Sequence, residues 1–345
     1  MAVTFLSMIK NHSSDAYPLS ADRGLRVLTW HIHGSYLYYL TQTPCTFYLP
    51  CKNSNEEGYG GCKPGNFPWG NNIINVAAED VKHTEFDCIL FQSKKAYTED
   101  QYELFTEEQR ALPKIYLEHD PPREVPTDTK HIVDDPNILL VHVTYFNDLM
   151  WDNNQTPTKV IEHGVMIDPG IKYSGEIEKG IVVINGLANR GRRLGLDVFK
   201  KVRKKIPLDI VGMQSEEVGG LGEISNRQLS AFTAKYRFFF NPIRYTSFGL
   251  SVCEAMMAGL PIVGLATTEM TVAIKNDFSG YIHTDIDFLI EKMKMLLEDH
   301  DKAKQLGQGA RQTANEKFNI ERFKKDWLQT FQQVTKSAAA QVQIK

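Results

Sequence analysis

The residues best suited to chemistry lie in Asn241–Leu265, which reads Asn-Pro-Ile-Arg-Tyr-Thr-Ser-Phe-Gly-Leu-Ser-Val-Cys-Glu-Ala-Met-Met-Ala-Gly-Leu-Pro-Ile-Val-Gly-Leu. Gly249 allows close backbone approach, and a short helix opens around Ser251. Gly259 stands where a left-handed C-cap belongs, and Pro261 blocks continuation. Backbone N–H groups at such a helix start form an anion site suited to a phosphate. Glu254, in the first turns, can accept hydrogen bonds from a ribose diol or can simply complement the helix dipole. A second cluster, Arg190, Arg192 and Arg193, lies between a strand and a helix, where ligands of parallel sheets bind. Guanidinium forks pair with phosphate oxygens and stabilise charge on a leaving diphosphate. The Gly186-x-x-x-x-Gly191 spacing lacks the Lys-Ser/Thr of a P-loop, and no GxGxxG is present.

His119, between Glu118 and Asp120, ends a strand before Pro121-Pro122. It serves either a rigid turn or a cleft in which its charge change near pH 6.5 is useful, with Asp120 able to orient it. His31 and His33 flank the first strand end, where packing or contact with a substrate is the better reading than a metal. Cys51 and Cys62 lack the paired cysteines or histidines of a zinc site. Tyr36, Tyr38, Tyr39, Phe67 and Trp69 make either a stacking surface for a sugar or ordinary helix packing.

The elements that must position these groups alternate between β-rich and helical. Strands are expected at Leu25–Trp30, Cys45–Leu49, Phe86–Phe91, Lys114–Glu118, Ile138–Val143 and Lys159–Glu162. A second series follows at Ile181–Asn185, Leu208–Val211, Arg237–Phe240, Pro261–Leu265 and Gly280–Ile282. Continuous apolar runs such as Ile-Leu-Leu-Val suit strands covered on both faces. Helices are expected at Leu194–Lys205, Asn226–Tyr236, Ser251–Ala258 and Asp285–Glu298. Two such series argue for an α/β protein with two Rossmann-like domains, joined near Glu162–Lys179. Lys52–Asn72, rich in Gly, Asn and Pro, reads as a long functional or mobile loop. Ser337–Lys345 reads as a frayed tail.

Composition narrows the function. The 345 residues are 42% hydrophobic and 23% charged, an ordinary globular balance that excludes wholesale disorder. No run reaches the ~18 apolar residues of a membrane span, and the start lacks a signal-peptide pattern. Five cysteines at irregular spacing predict no disulfide framework and a cytoplasmic setting. Residues 1–165 carry a net charge of −9 and residues 166–345 a net of +6. That asymmetry points to an anionic ligand held by the second half. Nucleic acid is disfavoured, since no zinc-finger, basic-helix or RNA-binding signature accompanies the charge.

The Asn241–Leu265 segment resembles the nucleotide-sugar-binding motif of family 4 glycosyltransferases, a Glu, seven residues and a second Glu within an "FGL…EAMA.G.P.V" frame. Leu208–Gly212 is similar to that family's second strand and Leu221–Leu229 to its nucleobase loop and helix. Gly280–Ile282 and Glu316–Leu328 resemble its closing glycine and C-terminal helix. In the first half, Trp30–Gly34, Glu118-His119-Asp120 and Val160–Val165 resemble its first loop, "HD" strand end and interdomain linker.

The resemblance implies a GT-B fold, two Rossmann-like domains facing each other across a cleft. Residues 1–165 would bind the acceptor, 166–315 the nucleotide sugar, and 316–345 would form a helix crossing back to the first domain. It implies a retaining, metal-independent glycosyltransferase. The sugar would move from a UDP or GDP donor to a glycan, lipid-linked or small-molecule acceptor. The enzyme would work in the cytoplasm, and any peripheral contact with the inner face of a membrane is unsupported by the acidic first half. His119, Thr246 and Glu254 become candidate catalytic residues. Gly34, Arg190, Arg192, Arg193, Ser247, Phe248, Gly249, Leu250 and Glu254 become candidate donor-binding residues.

Two positions depart from the family pattern. Thr246 stands where the first Glu belongs, and Leu187 replaces the first Arg of the phosphate loop. One of Arg190, Arg192 or Arg193 takes the place of its Lys. A catalytically silent sugar-nucleotide-binding subunit and a nucleotide-sugar epimerase on the same fold are the alternatives.

Overall fold

The computed structural model describes residues 24–54, 56–62 and 67–342. The N-terminal stretch read for a signal peptide and the last three residues lie outside them. Among the described residues two parallel sheets form. The first sheet uses β1 (Arg26–Thr29), β2 (Thr46–Cys51), β3 (Ile73–Ala77), β4 (Cys88–Phe91), β5 (Lys114–Glu118), β6 (Ile138–His142) and β7 (Thr158–Val160), in the order β3-β2-β1-β4-β5-β6-β7. The second uses β8 (Ile177–Val183), β9 (Leu208–Val211), β10 (Tyr236–Asn241), β11 (Ile262–Leu265) and β12 (Gly280–His283), in the order β12-β11-β10-β8-β9. These are the two Rossmann-like sheets of a GT-B fold. β4 and β10 are buried along their whole length, as the continuous apolar runs require.

The strand expectations agree with the structure to within a few residues except at two places. β3 follows the glycine-rich loop and went unread because its Asn75 breaks the apolar run. That Asn75 is also the side chain whose oxygen accepts from the Cys62 backbone N–H, at 2.8 Å, tying the loop to the sheet. β8 begins at Ile177, four residues before the expected start, because its first residues include the exposed, charged Glu178 and Lys179 ahead of the buried apolar run.

The core is continuous from one sheet to the other, with Val27, Leu90 and Val141 in the same cluster as Phe239, Val252 and Met256. The helix Ile320–Val342 joins that cluster through Phe323, Trp327 and Phe331, all fully buried. Trp327 Nε1 donates to the Tyr36 hydroxyl at 3.2 Å, and Phe331 packs edge-on against Phe47 of β2. The helix continues to Val342, so the expected frayed tail starts no earlier than that residue. At the linker, Gly164 is pressed so closely against Phe323 that a Cβ there would overlap its ring. Arg322 clasps the same turn, donating to the Glu162 and His163 carbonyls at 2.8 and 2.5 Å. Cys45, Cys88 and Cys253 are buried free thiols.

Candidate active site between the two sheets

A cavity of about 390 Å³ opens between the carboxyl ends of the two sheets, as ligand sites of parallel sheets do. The first half contributes His33, Ser35, Tyr36, Phe67, His119, Asp120 and the linker residue His163. The second contributes Asn185 and Arg190 after β8, Val211 and Gly212 at the end of β9, and the segment Glu223–Asn226. Ser247, Phe248, Leu250, Ser251 and Glu254 complete the wall. His119, Arg190, Ser247, Phe248, Leu250 and Glu254 are therefore brought together as the sequence predicts.

The helix Leu250–Ala258 starts at Gly249 with no side-chain cap, so its first N–H groups are left for an outside partner. Its start lines the cavity through Leu250 and Ser251, which satisfies the geometry of an anion site. The arginines diverge. Arg192 is three-quarters exposed and pairs with Asp197 at 2.7 Å, outside the cavity. The reading of Arg192 as a donor contact is thus corrected, because Asp197 takes its guanidinium. The same Asp197 receives a bidentate pair from Arg244 at 2.5 and 2.8 Å. Arg244 and Tyr245 in turn donate their backbone N–H groups to the Arg193 carbonyl, binding the arginine loop to the loop after β10. Gly195 has a positive φ of 84°, and a Cβ there would strike the Pro242 carbonyl, so only glycine lets these loops meet.

Arg190 lines the cavity, while the Arg193 Nη1 atom is buried without a hydrogen-bond partner. Burial together with Arg123 and Arg190 nearby pushes the Arg193 pKa down, opposed by Asp120. Arg193 thus lies near two other guanidinium groups with Asp120 as the opposing carboxylate, an arrangement that a bound anion relieves.

Glu254 is 5% exposed and makes no ion pair among the described residues. Burial pushes its carboxyl up to about 7, held back by hydrogen bonds from Tyr39 and Asn226. The Tyr39 hydroxyl, from the first-domain helix Gly34–Leu40, donates to Glu254 Oε1 at 2.6 Å. The sequence offers Tyr39 as a stacking or packing residue, and nothing in the local sequence marks this bond.

His119 is set by a chain of hydrogen bonds. The Thr29 hydroxyl donates to the Leu90 carbonyl at 2.9 Å, so its lone pair accepts from Gln92 Nε2 at 2.8 Å. Gln92 Oε1 is then an acceptor, and His119 Nε2–H donates to it at 3.0 Å. This fixes the neutral tautomer with the lone pair on Nδ1. Burial, then the neighbouring His33 and His163, hold the imidazole well below its usual pKa, so it stays neutral at pH 7. The expected role of Asp120 in orienting His119 is corrected, since Gln92 does this. Gln92 follows the end of β4, a strand-end position that could have flagged it.

Asp120 instead accepts from Arg123 at 2.5 Å and from the Thr246 hydroxyl at 3.5 Å. Thr246 does not line the cavity; its hydroxyl supports a carboxylate that does. Gly34 and Gly249 lie one residue from the wall, and Gly34 is confined by Phe67 and His31. His163, in the linker, lines the cavity and donates from Nε2 to the Phe248 carbonyl at 2.6 Å, linking the two domains. Burial pushes it down to about 4. Tyr38 stacks on Phe67, Trp69 packs tilted against Phe67 and edge-on to Tyr38, and Phe67 reaches the cavity.

Residues 194–313 match the family described as glycosyl transferases group 1. The matched stretch, about a third of the chain, is similar to a group 1 glycosyltransferase domain. The matched residues hold Asp197, the Glu223–Asn226 segment, the Leu250–Ala258 helix and Glu254 of this domain. A trehalose synthase from Thermococcus litoralis is 28% identical over 151 residues, covering 36% of this chain and 37% of that protein. The chain thus aligns with little more than a third of the length of that curated relative. Among solved structures, sucrose-phosphate synthase from Thermosynechococcus elongatus superposes with a TM-score of 0.64 at 14% identity, covering 91% of this chain and all of that one. HepE from Anabaena, solved in complex with UDP, gives 0.62 at 13% identity over 90% of this chain and all of that one. These two likenesses, spanning both domains, show the GT-B fold.

Proposed function

We propose that this protein transfers a sugar from a nucleotide diphosphate sugar to an acceptor hydroxyl in the cleft. The observation that carries the reading is one wall holding an uncapped helix start, Arg190 and the buried carboxylate of Glu254. Helix start and arginines bind the diphosphate and stabilise the charge on it as the glycosyl–phosphate bond breaks, which lets the reaction run without a metal. Glu254 accepts hydrogen bonds from the ribose, and Glu223–Asn226 faces the nucleobase. Neutral His119 holds a donor-sugar hydroxyl through Nδ1, and the Asp120 carboxylate faces the positive charge developing on the sugar. UDP is the first nucleotide to test, given the UDP-bound relative. Division of labour follows residues 1–165 for the acceptor, 166–315 for the donor and 316–345 as the returning helix. Phe67 with Tyr38 and Trp69 offers a stacking surface for a glycan acceptor, and the stereochemical course is retaining. A cytoplasmic location fits, and among the described residues no helix is long and apolar enough to cross a membrane.

A silent sugar-nucleotide-binding subunit is the second reading, favoured by Thr246 lying outside the cavity wall. Both readings require the diphosphate contact. Arg190→Ala is expected to weaken UDP binding at least tenfold in calorimetry while leaving uridine binding within about twofold, since one charge-assisted bond contributes about 1.5–3 kcal/mol. Arg192→Ala, whose guanidinium is committed to Asp197, should leave both affinities near wild type. Equal losses of UDP and uridine in Arg190→Ala would make that residue structural and remove the phosphate assignment.

A further inference from the structure

A buried carboxylate with no cation beside it is costly unless something fixes it for a purpose. Glu254 is faced by Tyr39 from the first-domain helix and by Asn226 from the second-domain helix Asn226–Thr233, with the Cys253 thiol beside it on its own helix. Tyr39 is absent from the cavity wall, whereas Glu254 and Asn226 belong to it. The phenol therefore reaches the carboxylate from behind and leaves its remaining acceptor capacity toward the cavity. Tyr39 is 2% exposed, on a seven-residue helix whose last five residues are all buried, so its hydroxyl has little freedom to go elsewhere. Resting on the ribose reading above, we propose that Tyr39 is a positioning residue for the donor nucleotide. It reaches across the domain boundary to fix Glu254 for the ribose hydroxyls. The nucleotide site of the second domain is then complete only with the first domain docked against it, which couples donor recognition to the closed cleft.

The coupling has a signature that simple packing lacks. Burial raises the Glu254 carboxyl to about 7, and the Tyr39 hydrogen bond works against that rise. The ionised carboxylate is the form that accepts two ribose hydrogen bonds. Nucleoside affinity in the wild type should therefore rise about tenfold from pH 6 to pH 8.5. Removing the phenol hydroxyl raises the carboxyl further and moves the midpoint of that rise to higher pH.

The test is calorimetric titration of the full chain with uridine, which carries no phosphate to titrate, and with UDP, from pH 6 to 8.5. It compares wild type, Tyr39→Phe and Glu254→Gln, with thermal melts of each. The proposal expects Tyr39→Phe to bind uridine and UDP about tenfold more weakly at pH 7, the deficit shrinking toward pH 8.5. It expects Glu254→Gln to bind weakly with no dependence on pH. A Tyr39→Phe deficit of the same size at every pH, or no deficit, overturns the positioning role while leaving the ribose reading in place. Wild-type affinity in Glu254→Gln, or a wild-type uridine affinity that does not change with pH, overturns the ribose reading itself.

Discussion

Replacing His119 by alanine is expected to lower the rate of sugar transfer by about two to three orders of magnitude while changing the apparent donor affinity only a few-fold. The side chain lines the cavity, and its Nε2–H is committed to Gln92, which leaves Nδ1 as a fixed acceptor. A preorganised contact used mainly in the transition state is worth about 10²–10³ in rate. The same imidazole is held neutral by burial and by the two nearby histidines, so its ionisation adds no limb to the activity profile near pH 6.5. Alanine also strands the Gln92 oxygen, a buried acceptor whose loss costs about 1–3 kcal/mol of stability. His119→Gln, with an amide able to donate to Gln92, separates the two effects by keeping the fold. Steady-state kinetics of both variants read the outcome. Equal turnover in wild type and His119→Ala would remove the histidine from the chemistry.

Glu254→Gln is expected to make the protein more stable above pH 7 while it loses nucleotide. The carboxyl sits at about 7 in the fold against 4.5 unperturbed, the direction set by burial. A group whose pKa is raised by folding favours the fold at pH below the unperturbed value and loses that benefit as pH climbs through the folded value. Between pH 4.5 and 7 the native state therefore gives up about 3 kcal/mol, and at pH 8 that penalty is complete. Glutamine has nothing to ionise, keeps an oxygen for the Tyr39 hydroxyl, and should exceed wild type by up to about 3 kcal/mol at pH 8. At pH 4.5 the gap should close. His163 and His119 are lowered by burial, so their contributions fall away in the opposite direction, as pH drops below 6.5. They cancel in the difference between the two proteins. Urea denaturation at pH 4.5, 6 and 8 gives the curve. A variant less stable than wild type at pH 8 would mean that Glu254 is retained for the fold rather than for a ligand.

Much of this architecture can be read along the chain, for definable reasons. Both β4 and β6 lie where their apolar runs place them, because strands covered on both faces leave a nearly continuous signature. The helix stop at Gly259 follows from a left-handed backbone, with φ of 90°, that glycine adopts freely. β3 escapes because Asn75, polar and tied to the loop, interrupts its pattern. The side-chain assignments fail where long-range contacts choose between equal candidates. Arg190, Arg192 and Arg193 are alike in sequence, and only Asp197 and Arg244 decide that Arg192 faces away. Gln92 lies 27 residues before His119, and Tyr39 lies 215 before Glu254, so neither partnership leaves a local mark. Thr246 shows the same limit in reverse. Its position in a motif suggests direct chemistry, whereas the fold gives the cavity-lining carboxylate to Asp120 across the cleft.

Catalysis at this cleft is tested most directly by nucleotide release from a panel of UDP- and GDP-sugars, with and without glycan, lipid-linked and sugar-phosphate acceptors. The account predicts that one donor releases its nucleoside diphosphate, that an acceptor accelerates the release, and that Arg190→Ala abolishes it. A wild-type protein that binds a nucleotide sugar tightly yet releases no nucleotide with any acceptor would contradict the transferase reading and leave a silent sugar-nucleotide-binding subunit.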